Sequence, residues 1–173
     1  MSQLSSLPFT SFTDSSLLVR DVAGSYRPAE PAEVLQAALR VLAGQLRGTE
    51  MLSSPQAVRD FLRIKLGTLE HEVFAVIHLD AQHRVIEYVE MFRGTVTQTS
   101  VYPREVVKEA MEHNTAAIVL VHNHPSGVAE PSRADEHLTQ TLKSALSLVD
   151  VRVIDHLIVA GSMILSFAER GLI

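Results

Sequence analysis

The segment His122-Asn123-His124-Pro125-Ser126-Gly127 constrains this chain more than any other. It follows an unbroken apolar run over residues 116–121, which reads as a buried strand. In an extended chain residues i and i+2 share a side, so His122 and His124 present both imidazoles to one point just past the strand's end. Pro125 cannot donate to a ladder and Gly127 frees the backbone, so the chain must turn away there. Ser132 then precedes a helical pattern, which places Asp135 in that helix's first turn. Two neutral imidazoles and one carboxylate, with no fourth protein ligand evident, have the shape of a catalytic zinc site with one open position. Taken alone, Ser132-x-x-Asp135 is also a helix capping box, a feature that contributes about 1 kcal/mol. The two uses are compatible, since Ser132 can cap while Asp135 coordinates.

Composition narrows the chemistry. The chain has no cysteine, which excludes disulfides and thiolate zinc sites, so a metal must be held by nitrogen and oxygen. Its 173 residues suit one domain with a real core, and its net charge is −5. That balance argues against non-specific nucleic-acid binding, which needs clustered positive charge. No apolar segment approaches the ~18–20 residues that span a bilayer, and residues 1–20 show no signal-peptide pattern. A cytoplasmic protein without a membrane partner is expected.

Read in order, residues 1–29 are polar, with six serines in the first 16 positions, and predict a mobile tail. Residues 30–48 hold a packing helix, apolar over Val34, Leu35, Ala38, Leu39, Val41, Leu42 and Leu46. One further domain, carrying the candidate zinc site, is expected over 51–173. Ser53-Ser54-Pro55 opens its first helix and Gly67 closes it. Residues 73–79 predict a buried strand, 80–83 a hairpin turn, 84–92 a second strand and 96–101 a third. A helix follows over 103–113, with Asn114 as a left-handed stop. After the histidine segment come a helix over 133–148 and strands over 151–160 and 163–167. Strands and helices interleave, so the fold class is α/β, a single mixed sheet sandwiched by helices.

His-x-His-Pro, six residues, then Ser-x-x-Asp resembles the JAMM motif of the MPN+ metalloproteases. Residues 103–127, 130–135, 151–161 and 166–173 together look like the RadC-type branch of that superfamily. The resemblance covers residues 53–173 and implies an MPN (JAMM) fold of cytidine-deaminase-like architecture. It also implies a zinc-dependent hydrolase of peptide or isopeptide bonds acting on a protein or peptide substrate. One Zn2+ per chain would be held by His122, His124 and Asp135, with water in the open position. The family's general acid/base is a glutamate in a Glu-x-Phe context, which Glu72-Val73-Phe74 matches; Glu70, two residues earlier, is the fallback. Ser132 would donate to the water or to the developing oxyanion.

Local sequence alone reads Glu72 as an exposed carboxylate at a strand's end, so that assignment rests on the resemblance. His71, His83, His113 and His137 stand where solvated side chains are expected, and His78 reads as a satisfied strand residue. His156 interrupts an apolar strand; orienting a ligand and making a core hydrogen bond are equally good readings of it. The rival function is a DNA-repair-associated RadC-like protein with a DNA or protein binding role. Longer RadC proteins carry a helix-hairpin-helix region, and the roughly 50 residues before the MPN-like part show no such hairpin. A scaffold that has lost its metal fits a full ligand set poorly, and a zinc deaminase lacks its cysteines here. Oligomeric state is left open.

Overall fold

The structure is a computed structural model, which describes residues 17–48, 51, 55–94 and 100–173. They divide into two compact units, one ending at Ala38 and the other spanning Leu39–Ile173. In the first unit, β1 (Leu18–Arg20) and β2 (Tyr26–Pro28) pair antiparallel. The turn between them is closed by Ser25 N donating to Asp21 Oδ1 at 2.9 Å, with Gly24 at φ 88°. Residues 18–28 are thus a hairpin rather than a tail: two short β-forming triplets flank a turn that Asp21 and Gly24 favour. The part of the expected tail at 1–16 lies outside the described residues.

Helix α1 (Pro31–Leu46) starts where Glu33 Oε2 accepts from the Glu30 backbone N–H at 2.9 Å. Helix α2 (Pro55–Leu66) follows; its expected serine cap lies outside the described residues. The second unit is built on five strands: β3 (Val73–Leu79), β4 (Val85–Arg93), β5 (Ala117–Asn123), β6 (Arg152–Ala160) and β7 (Met163–Ser166). Their order is β4-β3-β5-β6-β7, with β5 and β6 parallel and the other pairs antiparallel. Helix α3 (Pro103–Glu112) leads into β5, and α4 (Arg133–Ser147) makes the crossover that a parallel pair requires. The strand expected over 96–101 falls largely outside the described residues.

Every residue of β3 and of β5 is buried. Both strands therefore read as continuous apolar runs rather than alternating ones, because helices cover both faces. Ala75, Ile77 and Leu79 pack with Val58, Phe61, Leu62 and Leu66 of α2 and with Leu39, Leu42 and Leu46. Phe74, Val76, Ile118 and Leu120 pack on the other face with Val106, Ala110, Leu142 and Leu146 of α3 and α4. Each such fully buried large side chain contributes about 1.5–3 kcal/mol. Gly67 is needed where α2 ends: a Cβ there would lie 2.5 Å from the Arg63 and Gly161 carbonyl oxygens.

Strand β5 runs two residues beyond the expected end and takes in His122 and Asn123. Pairing with β6 extends it, with His122 opposite Ile158 and Asn123 opposite Val159. His122 is therefore a buried strand residue, 2 % exposed, and only His124 stands past the strand.

Candidate metal centre

The strand period brings the two imidazoles together. His122 Nε2 and His124 Nε2 lie 2.9 Å apart, and the carboxylate of Asp135 lies 3.3 Å from the first and 3.6 Å from the second. His124 N donates to Val159 O at 2.8 Å, which holds the backbone in ladder register one residue past β5. The chain then turns, with Gly127 N donating to His124 O at 3.0 Å and Gly127 at φ 77°. Asp135 comes from the first turn of α4, and its position is set by a complete capping box. Ser132 N and Oγ both donate to Asp135 Oδ2, at 2.7 and 2.6 Å, and Asp135 N donates to Ser132 Oγ at 3.2 Å. Capping and presentation of the carboxylate are one piece of geometry.

A chain of hydrogen bonds fixes which nitrogens carry protons. Thr139 Oγ1 donates its only proton to Asp135 O at 2.6 Å. His156 Nδ1, also 2.6 Å from that hydroxyl, must then be its N–H donor. This leaves His156 Nε2 to accept from His122 Nδ1 at 2.8 Å. The same reasoning applies to His124, whose Nδ1 can only donate to the Val128 carbonyl at 2.7 Å. Both Nε2 atoms therefore turn lone pairs toward each other and toward a carboxylate. Two lone pairs 2.9 Å apart repel unless a cation lies with them, and two imidazoles with one carboxylate suit a borderline divalent metal. The residues fit the group that the sequence implies.

The charges agree with this. Burial opposes ionisation of Asp135, but the neighbouring imidazoles of His122 and His124 and the Ser132 hydroxyl outweigh it and hold the carboxyl well below the usual range. The Asp135 carboxylate, which would accept a hydrogen bond from the protonated ring, raises the pKa of His124 above that of a free imidazole, with a smaller contribution from the charge of Glu72. His156 is fully buried, and burial first, then the neighbouring His122, pushes it well below 6.5 and keeps it neutral.

Glu72 is half-buried just before β3, and the β3–β5 register pairs Phe74 with His122. Glu72 is close enough to His124 for its charge to act on that imidazole. Glu70 is exposed in the preceding bend. Asn123, which the sequence reading passed over, fixes that approach: its Oδ1 accepts from Val73 N at 2.8 Å and its Nδ2 donates to His71 O at 3.0 Å. A polar residue in an apolar strand, on the face opposite the two histidines, was its signal. Thr139 was also missed; a buried threonine one turn after Asp135 interrupts the apolar stripe of α4. Asp155 faces away from the site and ties β6 to the end of β7, its Oδ2 accepting from Ser166 Oγ at 2.6 Å.

The comparisons agree with the geometry. Residues 52–172 match the family model of the RadC-like JAB domain. A UPF0758 protein of Leptothrix cholodnii is 61% identical over 150 residues, which are 87% of this chain and 68% of that protein. One from Methylibium petroleiphilum is 57% identical over 167 residues, covering 92% of this chain and 75% of the relative. A third, from Variovorax paradoxus, is 52% identical over 170 residues, 98% of this chain and 75% of the relative. With this match over most of its length and a mixed sheet that carries the ligand set at one strand end, the chain belongs to the RadC-like JAB domain family.

Proposed function

We propose that the protein is a zinc-dependent hydrolase of peptide or isopeptide bonds, with His122, His124 and Asp135 holding the metal. The observation that carries this reading is the pair of Nε2 lone pairs 2.9 Å apart beside the Asp135 carboxylate. When bound, the metal supplies Lewis-acid polarisation of a carbonyl and a lowered pKa for water. Glu72 takes the proton of the attacking water and returns it to the leaving amine nitrogen. Asn123 keeps Glu72 at its station by clamping residues 71–73 to the end of β5. Ser132, exposed beside the metal carboxylate, is the donor for the developing oxyanion; to serve it must release Asp135 Oδ2. His156 and Thr139 hold the His122 ring in its coordinating tautomer.

The test is a Glu72→Gln variant screened beside the parent against peptide and isopeptide libraries, with metal content measured in parallel. Hydrolysis should fall by ~10²–10⁴-fold while zinc is retained, because Glu72 is not a ligand. A Glu72→Gln protein that cleaves like the parent removes Glu72 from the mechanism. If Glu70→Gln is slow instead, the base lies two residues earlier; if neither is slow, this mechanism is wrong for the chain.

A further inference from the structure

A second group of donors lies away from the JAB site. We infer that His78, Glu109 and His113 form a second divalent-metal site, which ties the last turn of α3 to the end of β3. Each of the three offers a ligand atom, and all these atoms lie within 4.8 Å of one another. Glu109 and His113 are one helical turn apart, with His113 Nε2 3.1 Å from Glu109 Oε1. The rings of His78 and His113 lie with centroids 4.6 Å apart, tilted by 30°.

The decisive observation is at His78. Its side chain is fully buried, its Nδ1 is engaged with Thr115 Oγ1 at 2.9 Å, and its Nε2 has no hydrogen-bond partner. A buried ring nitrogen without a partner calls for an explanation. If Nδ1 donates to the threonine hydroxyl, Nε2 carries a lone pair in the company of an imidazole and a carboxylate. That is the state of a metal-binding histidine, with Thr115 in the orienting role that an outer hydrogen-bond partner usually takes.

The surroundings suit a cation. Glu109 and His113 close the C-terminal turn of α3, the negative end of its dipole. Glu87, opposite His78 on β4, adds negative charge nearby. Two imidazoles and one carboxylate select a borderline ion such as zinc, nickel or cobalt rather than magnesium or calcium. Ligands on a common zinc at 2.0–2.1 Å sit roughly 3.4 Å apart, so the group must contract. His113 and Glu109 can supply that movement, since their side chains are 27% and 28% exposed at the helix end while His78 is locked in the sheet. The exposed side leaves room for water to complete the coordination.

The experiment counts metal. Chelator-stripped parent protein is titrated with Zn2+ against a competing indicator, beside a Glu109→Gln/His113→Gln double variant and a His122→Ala/His124→Ala double variant. The parent should take up two equivalents, and the Glu109/His113 variant one, its second affinity weakened at least 10-fold. The His122/His124 variant should keep one equivalent and show a zinc-dependent rise in Tm. The Glu109 and His113 positions are part-exposed, so that variant should fold, and circular dichroism checks it. A parent that binds one equivalent, or a second equivalent indifferent to Glu109→Gln/His113→Gln, overturns the proposal. Neither result touches the JAB site, whose loss is read in the His122/His124 variant alone.

Discussion

The two histidine clusters occupy opposite ends of the same strand pair on the same face of the sheet. His78 pairs with Ile118, Val76 with Leu120 and Phe74 with His122, so on this face a single apolar rung, Val76 with Leu120, separates the two histidine rungs. Each uses the sixth residue of a seven-residue buried strand. Glu109 and His113 at the end of α3 complete one, and His124 just past β5 with Asp135 of α4 completes the other. What differs is the support behind the ligands. His122 is held by a relay through His156 and Thr139, and its carboxylate is aimed by a capping box. His78 has one threonine behind it, and its partners sit on the last turn of α3. Each cluster also has a carboxylate nearby that is not part of the donor set, Glu72 beside His124 and Glu87 opposite His78. The donors are alike, and the proposed roles differ: metal chemistry at the first cluster and fastening of α3 at the second.

Acid should separate the two. Burial, and then the charge of His113, lowers the pKa of His78 to about 4. Its folded pKa lies below the unfolded value near 6.5, so protonation favours the unfolded chain. The metal-free protein should therefore keep its full stability above pH 6.5 and lose up to about 3 kcal/mol from this residue as pH falls toward 4. His156 acts with the same sign, because burial lowers it too. Asp155 acts against both, since burial raises its carboxyl. Urea unfolding at a series of pH values, with His78→Gln and His156→Gln beside the parent, assigns the decline. A His78→Gln protein that loses stability toward pH 4 as steeply as the parent would show that His78 is not buried in solution as it is here.

The relay provides a smaller and more local test. Thr139→Val keeps the shape of the side chain but removes the hydroxyl that sets the tautomer of His156, and through it of His122. Zinc affinity at the JAB site should fall about 10–100-fold, while the His78 site is unchanged. Thr115→Val should do the reverse. Equal losses at both sites from either change would show general loosening of the core instead of tautomer control.

How far the sequence reached follows from how local each feature is. The approach of His122 to His124 is a two-residue strand period, and Asp135 at the third position of α4 belongs to a capping signature; both are written within 14 residues. The left-handed stop at Asn114, found at φ 50°, is similarly local. The sheet with helices on both faces was legible from the interleaving of apolar runs. Illegible were contacts that the fold makes between distant positions. His156 meets His122 across 34 residues, and Asn123 reaches back 50 residues to Val73. His78 was expected to be satisfied and His113 solvated, yet the sheet buries one against the other and leaves a nitrogen of His78 without a partner. The hairpin at 18–28 was hidden because its strands have three residues each, too short to show a period.

The smallest expected effect falls on Ser132, where cap and chemistry share a single hydroxyl. Ser132→Ala removes the oxygen that accepts from Asp135 N and the proton that binds Asp135 Oδ2, but leaves the Ser132 backbone N–H donating to that carboxylate. Loss of an N-cap oxygen costs about 1 kcal/mol, which chemical unfolding of the metal-free protein resolves. Asp135 keeps its contacts with both imidazoles, so zinc content should hold. The effect on turnover then decides whether the hydroxyl does more than cap. Ser132→Thr restores a capping oxygen and a donor together, whereas Ser132→Asp restores a capping acceptor without a proton to give. If both recover stability but only Ser132→Thr recovers cleavage of a library substrate, the hydroxyl donates during the reaction. If Ser132→Asp cleaves as well as the parent, Ser132 is a cap alone, and the oxyanion donor must be sought elsewhere.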